Sequence, residues 1–108
     1  MINSYRDALT KLLKVQSALN AENLATLPAA QVVNLEKAKA GVYGEIQALQ
    51  AQETSSRDDD YQVVTDAFGA CKSDLQDLSN WMANKRKTDG EIFDALLKGV
   101  NMALSLFL

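Results

Sequence analysis

Apolar residues recur every three or four positions through most of this chain, which is the spacing that places them on one face of an α-helix. The first such stripe follows Ser4, whose hydroxyl and the Asp7 carboxylate three residues later fit an N-terminal capping box. The pattern predicts a first helix near residues 4–20. The stripe consists of Tyr5, Ala8, Leu9, Leu12, Val15 and Leu19.

A second stripe follows Pro28, a residue tolerated at the start of a helix because its missing N–H would be unbonded there anyway. It predicts a helix near residues 28–53. Two glycines inside a helix cost about 1 kcal/mol each relative to alanine, so another helix is expected to approach closely there. That helix is either the first or fourth helix of the same chain or a second copy. The core face is Leu35, Ala38, Val42, Ile46 and Leu49, and the small side includes Gly41, Gly44 and Ala48.

The third stripe alternates spacings of three and four residues, as in the seam of a coiled coil. Ser55 or Ser56 is the expected cap, and the run from Asp58 to Asp60 then fills the first helical turn. The predicted helix covers residues 57–84. Its seam consists of Tyr61, Val64, Phe68, Cys71, Leu75, Leu78 and Met82, with Val63 and Trp81 to one side.

A second capping box, from Thr88 to Glu91, predicts a fourth helix near residues 89–107. Its apolar stripe is wide, and Met102, Leu106 and Leu108 flank it, so the last turns are apolar on almost every side. Burying a Leu or Phe side chain contributes about 1.5–3 kcal/mol, so these residues are expected to be covered. An enclosed helix, a symmetric dimer or a separate partner would cover them, and we expect the dimer.

Together the four stripes predict an all-α protein with one domain, residues 1–108, folded as an antiparallel (up-down) four-helix bundle. The short connections before and after the third helix favour antiparallel neighbours. The second and third helices are expected to form a coiled-coil-like central hairpin. One proline and five glycines among 108 residues leave few helix breakers, which agrees with long helices.

The formal net charge of −3 argues against general nucleic-acid binding, which needs many Lys and Arg side chains to neutralise phosphates. No apolar run approaches the roughly 18 residues of a membrane-spanning helix, and charged residues interrupt the N-terminal stretch where a signal peptide would be apolar. Cys71 is the only cysteine, which excludes an internal disulfide and suits a reducing compartment. We therefore expect a cytoplasmic protein.

The sequence contains no histidine, the commonest general base and metal ligand. With one cysteine, zinc sites built from Cys and His are also excluded, and no glycine-rich phosphate loop is present. The run from Asp58 to Asp60 with Glu53 is a candidate for a hard cation, but carboxylates in a first helical turn are explained by the helix dipole. We expect a non-enzymatic protein with no cofactor and no bound metal.

Three further features have a structural and a functional interpretation. Cys71 is expected to be a small buried core residue rather than a reactive thiol. The run Lys85-Arg86-Lys87 suits the negative end of a helix dipole, and contact with a phosphate or an acidic partner is the alternative. Gln16, inside the first stripe, either fixes helix register through a buried hydrogen bond or marks where the bundle opens to solvent.

The function that these patterns favour is a helical protein–protein interaction module: an adaptor, assembly or regulatory subunit that binds a protein partner and associates with itself. One alternative is a membrane- or lipid-contacting protein that acts through the C-terminal helix, although that helix lacks the several cations usual on an interfacial polar face. Another is a bundle that encloses a small apolar ligand. The expected interface residues are Gly41, Gly44, Ala48, Trp81, Met102, Leu106 and Leu108.

Overall fold

The computed structural model describes residues 3–21, 27–52, 55, 57–89 and 93–107. This part of the chain is helical, with five α-helices, a final 3-10 turn and no β-strand. The Cα radius of gyration, 14.0 Å, is close to the roughly 13 Å of a folded chain of this size, so the all-α fold is compact. The elements are α1 (Tyr5–Ala21), α2 (Ala29–Gln50), α3 (Asp66–Ala70), α4 (Lys72–Asp89), α5 (Asp94–Leu104) and the 3-10 turn Ser105–Phe107.

The N-terminus of α1 is capped by a side chain and by backbone carbonyls. The Ser4 hydroxyl accepts a hydrogen bond from the Asp7 N–H at 3.1 Å, which confirms the predicted cap. The two preceding N–H groups donate to carbonyls far along the chain, so the N–H groups that a helix leaves unpaired are satisfied here. These two bonds run from Tyr5 N–H to the Asp59 carbonyl at 3.0 Å and from Arg6 N–H to the Arg57 carbonyl at 2.9 Å.

Helix α2 begins directly after Pro28, whose carbonyl accepts the N–H groups of Gln31 and Val32 at 2.9 and 3.0 Å. The helix ends at Gln50, earlier than the predicted 28–53, and residue 53 lies outside the described residues. The predicted core face is buried at every position: Leu35, Ala38, Val42, Ile46 and Leu49.

The third predicted helix, residues 57–84, starts too early. Residues 57–65, which we call the strap, turn at 57–59, form a bridge at Asp60 and have no regular secondary structure from there to Thr65, whose own backbone is extended. Asp60 forms an isolated antiparallel bridge with Ser4, and the Tyr61 N–H donates to the Asn3 carbonyl at 2.7 Å. Since bonds to other segments satisfy much of the strap's backbone, they replace the bonds that a helix would have made.

Two predictions that depended on this early helix are wrong. Val64 is predicted in the core seam, but the strap is not helical there, and Val64 is 51% exposed between the half-buried Val63 and Thr65. The run from Asp58 to Asp60 was expected in a first helical turn, but it lies exposed in the strap beside the N-terminus of α1. There the Asp58 carboxylate pairs with the Arg6 guanidinium at 3.3 Å.

Helix α3 is short, and only Cys71 separates it from α4. The Thr65 hydroxyl oxygen caps α3 by accepting the Phe68 N–H at 3.2 Å. Apart from Val64, the positions of the predicted seam lie in the core. These buried residues are Tyr61, Phe68, Cys71, Leu75, Leu78 and Met82.

Helix α4 continues to Asp89, past the predicted end at residue 84, and α5 starts at Asp94 instead of near residue 89. Lysine and arginine are good helix formers, and their charge suits a helix C-terminus, so the basic run extends α4 rather than ending it. Residues 90–92, which include part of the predicted second capping box, lie outside the described residues.

The core lies between four of the helices. Helix α1 packs against α2 and α5, α4 packs against the same two helices, and α3 lies on α2. The backbones of α1 and α5 approach closely, since a Cβ on Gly99 would lie 2.5 Å from the Ala18 Cβ. Phe107 of the 3-10 turn stacks on Phe68 with ring centroids 4.6 Å apart, which closes one end of the core.

Candidate functional site

Glu45 of α2 is a fully buried carboxylate, and it accepts four hydrogen bonds. Its Oε2 accepts the Tyr61 hydroxyl at 2.6 Å and the Val64 N–H at 2.8 Å. Its Oε1 accepts both the N–H of Thr65 at 2.8 Å and the hydroxyl of Thr65 at 2.7 Å. We call these four bonds the Glu45 network. They attach the strap to α2.

The Glu45 network compensates for the burial of a charge. Burying an ionised carboxylate is costly unless hydrogen bonds satisfy it, and here all four donors are neutral. Burial, with the hydrogen bond to Glu45 and the negative charge of Glu45, raises the pKa of Tyr61 well above its usual range. The phenol therefore keeps the proton that it donates. Because the four bonds use the acceptor capacity of the carboxylate, Glu45 serves as an anchor in this arrangement.

The sequence-based prediction does not include Glu45, although the position of this residue carries a signal. It lies three residues after Val42 and four before Leu49, the spacing of the buried stripe of α2. A charged residue on such a stripe requires a hydrogen-bonding partner. The partner segment was not recognised because the strap was predicted to be helical.

The small side of α2 is divided between an internal contact and open space. A Cβ on Gly41 would lie 2.8 Å from the Cys71 Sγ and 3.0 Å from the Ala67 carbonyl oxygen. The close approach therefore comes from α3 and Cys71, not from the first or fourth predicted helix. At Gly44, three residues on, a Cβ would meet no described atom within 4 Å other than its chain neighbours and the backbone of its own helix.

Helix α2 also carries apolar and small residues on the side that points away from the core. At about 100° per residue, these positions lie opposite the buried stripe. Val33 and Tyr43 are 51% and 53% exposed, Ala40 is exposed, and Gly44 and Ala48 are half-buried. We call this set the α2 outer face: Val33, Ala40, Tyr43, Gly44 and Ala48.

Two shallow grooves flank the α2 outer face. One, about 460 Å³, lies between α1 and α2, and its lining includes Gln16, Leu19 and Tyr43. The other, about 360 Å³, lies between α2 and the α3–α4 junction, and its lining includes Ala67. Ala40 lines both grooves, so a low ridge of small side chains separates them. Gln16 is half-buried at an open groove, which fits the second of its two interpretations.

The remaining predicted interface residues pack within the chain where they are described. Trp81 is half-buried against Phe93, with ring centroids 5.1 Å apart, and the Lys85 Nζ lies 5.9 Å from the Trp81 ring centroid. Met102 is half-buried against the core, and Leu106 is only 5% exposed. The chain's own core therefore covers Leu106, so this side chain does not need a partner. Leu108 lies outside the described residues, as do the side chains of Arg86 and Lys87.

The thiol of Cys71 is 2% exposed and donates to the Phe68 carbonyl at 3.1 Å. Burial and, to a smaller extent, the charge of Asp74 raise the pKa of this thiol to about 11, so it stays protonated at neutral pH. Cys71 therefore occupies the core position expected for it. Among the residues that the structure describes, no group of three His, Cys, Asp or Glu side chains could hold a metal ion, and Glu53 lies outside them.

Comparison with known proteins assigns no relative, since no family model, curated protein or solved structure matches this chain. Within the described ranges, no helix combines the length and the apolar character needed to cross a membrane. The functional interpretation therefore depends on the geometry of the surfaces described above.

Proposed function

We propose that this chain is a non-enzymatic helical interaction module that associates with itself through the α2 outer face. The observation that carries the proposal is the open space at Gly44, where a Cβ would meet no described atom within 4 Å. A glycine inside a helix costs about 1 kcal/mol relative to alanine. At Gly41 the contact with Cys71 explains that cost, whereas nothing within the described chain explains it at Gly44.

A second helix crossing at Gly44 would use the missing side chain. Ala40 and Ala48 lie one turn before and one turn after it, and small residues at this spacing let two helix backbones approach closely. Tyr43 and Val33 supply half-exposed apolar area beside the crossing point, and tyrosine is enriched in the buried centres of interfaces. The two grooves would receive the larger side chains of the partner helix.

The charges near this face favour a second copy of the chain as the partner. Glu36 and Lys39, which both line the larger groove, neutralise each other in an ion pair at 3.6 Å. Lys37 and Asp74 contribute one charge of each sign to the smaller groove. A face without a dominant charge can pack on an identical face without like-charge repulsion. In a two-fold dimer, Gly44 of one copy would lie close to Gly44 of the other.

We also infer that the helices form the antiparallel four-helix bundle, with α3 and α4 together as its third helix. Support comes from the packing pattern, in which α1 and α4 each contact both α2 and α5. The contacts of α2 with α3 and α4 support the predicted central hairpin. In this architecture α2 has neighbours on two sides and presents its outer face to a partner.

The two alternative functions have less support. Membrane contact is predicted because the C-terminal helix has more apolar side chains than one core stripe needs. One of these side chains, Leu106, lies in the core. Binding of a small apolar ligand would use the larger groove, whose volume of about 460 Å³ falls within the usual range of ligand sites. That groove is open and partly lined by Gln16, Asn20 and the Glu36–Lys39 pair, which favours a protein surface over an enclosed apolar ligand.

Light scattering over a range of concentrations tests self-association. We expect the wild type to be a dimer and Gly44→Leu to be a folded monomer, because a leucine on the α2 outer face holds the two helices apart. Ala83→Leu is the matched control, since it adds a leucine at an exposed position of α4, and it should remain a dimer. Circular dichroism should be the same for all three proteins. A wild type that stays monomeric throughout contradicts self-association.

Disulfide trapping locates the interface. Cys71 is buried and protonated, so the double variant Ala40→Cys/Ala48→Cys introduces thiols that oxidants reach preferentially, at two positions beside the crossing point that already carry a Cβ. We expect rapid formation of a disulfide-linked dimer, because the two-fold places residues 40 and 48 of one copy beside the same residues of the other. Ala83→Cys places a thiol at an exposed position of α4, away from the proposed interface, and should cross-link slowly. Equal rates for the two variants would contradict this interface.

A further inference from the structure

We propose that the strap and the first turn of α1 form one cooperative latch, closed by the Glu45 network, that opens while α4 and α5 stay folded. This inference concerns the fold's internal dynamics and does not depend on self-association. It starts from the way in which the strap is attached.

The strap is held mainly by hydrogen bonds. Of its residues, Tyr61 alone is buried and Val63 packs half-buried against the core, while Asp58 to Asp60, Gln62 and Val64 are exposed. Segments with few buried apolar contacts open locally at a lower free energy than the core does. By contrast, α4 and α5 contribute several fully buried side chains to the core: Leu75, Leu78, Met82, Leu96 and Val100.

Tyr61 connects the strap to two other elements at once. Its hydroxyl donates to Glu45 of α2 at 2.6 Å, and its N–H donates to the Asn3 carbonyl at 2.7 Å. Its ring meets the Tyr5 ring edge-on, with centroids 5.5 Å apart. Loss of the Glu45 network would therefore free Tyr61 and weaken the contacts that hold the start of α1.

Thr65 extends the same coupling to α3. Its single hydroxyl proton is donated to Glu45, which leaves the hydroxyl oxygen free to accept the Phe68 N–H at 3.2 Å. The carboxylate therefore orients the group that caps α3. The strap's other end is bound to α1, because the carbonyls of Arg57 and Asp59 accept the first two N–H groups of that helix. We therefore expect the two ends of the strap and its centre to detach from α1, α2 and α3 in one step.

Amide hydrogen exchange measured by NMR at several low denaturant concentrations tests the latch. In the wild type, we expect five amides to share one opening equilibrium with a weak dependence on denaturant, because the latch exposes little surface. The amides of Leu75 in α4 and Leu97 in α5 should exchange more slowly and depend steeply on denaturant. The five latch amides are those of Tyr5, Arg6, Tyr61, Val64 and Thr65.

Glu45→Gln sharpens the test, since it keeps the shape of the side chain but places an NH2 group among the donors. All five latch amides should accelerate together, by about tenfold or more, and remain distinct from those of Leu75 and Leu97. Tyr61→Phe removes one donor only and should accelerate the same five by a smaller common factor. Glu36→Gln, an exposed position on the same helix, should change none of them.

Two results would overturn the proposal. In the first, the five amides of the wild type exchange at the rate and with the denaturant dependence of Leu75, so that the strap opens only by global unfolding. In the second, the Glu45 and Tyr61 variants accelerate Val64 and Thr65 but leave Tyr5 and Arg6 unchanged. If Glu45→Gln does not fold, the wild type and Tyr61→Phe still decide between these outcomes.

Discussion

On one side of α2, Gly41 and Glu45 are enclosed by the strap and α3, whereas Gly44, between them in sequence, faces open space. Gly41 and Gly44 have the same helix propensity and lie in the middle of the same helix. A Cβ on Gly41 would press on Cys71, and a Cβ on Gly44 would touch nothing in the described chain. The effect of each glycine on stability therefore depends on its tertiary neighbours and not on the helix that contains it.

This contrast separates residues that hold the monomer together from residues left for a partner. The enclosed side contains the only charged residue in the buried set of the described chain, Glu45, and all four of its bonds reach residues 61–65. On the α2 outer face, Ala40 and Gly44 take part in no comparable network within the described chain. Substitutions on the two sides should therefore change the free energy of unfolding by different amounts. For the two glycines, the changes should have opposite signs.

Glu45→Ala should have the largest effect, a loss of about 3–5 kcal/mol in the free energy of unfolding. A fully buried donor left without an acceptor costs about 1–3 kcal/mol. Four donors lose their acceptor together, one of them buried and three partly buried. Urea denaturation followed by circular dichroism measures the loss. Glu36→Ala is the matched control: it removes an exposed ion pair with Lys39 and should cost less than about 0.5 kcal/mol. Similar losses for the two variants would show that the Glu45 network contributes little.

Gly41→Ala should have the second largest effect, a net destabilisation of about 1–2 kcal/mol. The new methyl group would overlap the Cys71 Sγ and the Ala67 carbonyl oxygen, and overpacking of a tight core costs about 1–3 kcal/mol. The better helix propensity of alanine offsets part of that cost. The same urea denaturation measures it.

A double-mutant cycle identifies the cause of the Gly41→Ala loss. Cys71→Ala removes the nearer of the two clashing atoms, so the double variant should lose less stability than the sum of the two single variants. Strict additivity would mean that the loss arises elsewhere, for example from the Ala67 carbonyl.

The sequence was sufficient to predict the elements whose stability depends on local pattern. The Ser4 cap and the start of α2 after Pro28 agree with the structure to within a residue. The core positions Leu75 and Leu78 also agree, because the spacing of buried residues on a helix needs no knowledge of its partner. In these elements, propensity, capping and hydrophobic pattern all indicate the same conformation.

The strap could not be predicted in the same way. The spacing of Tyr61, Val64 and Phe68 fits a helix. However, the carbonyls of Arg57 and Asp59 accept hydrogen bonds from N–H groups of α1. The N–H groups of Val64 and Thr65 donate to Glu45. These partners are about twenty to fifty residues away in sequence. Such bonds outweigh a local periodicity. The position of Glu45 on a buried stripe indicates that it needs hydrogen-bonding partners, but no local signal identifies the strap as the segment that supplies them. The sequence also left open whether Gly44 faces another helix of the same chain or a second copy, since the answer depends on where α3 and Cys71 pack.

Gly44→Ala should have the smallest effect and the opposite sign to Gly41→Ala, a gain of about 0.5–1 kcal/mol in the stability of the monomer. Alanine loses less backbone entropy than glycine on folding, and the added methyl group would enter open space, so no clash opposes the gain. Thermal melts at a concentration low enough to keep the chain monomeric should therefore show a higher Tm. The same variant should form the proposed dimer less readily, because the methyl group would lie between the two crossing helices, and light scattering at higher concentration measures this. A loss of monomer stability would show that Gly44 is enclosed within its own chain. A gain in stability with dimerisation unchanged would place the interface away from the centre of the α2 outer face.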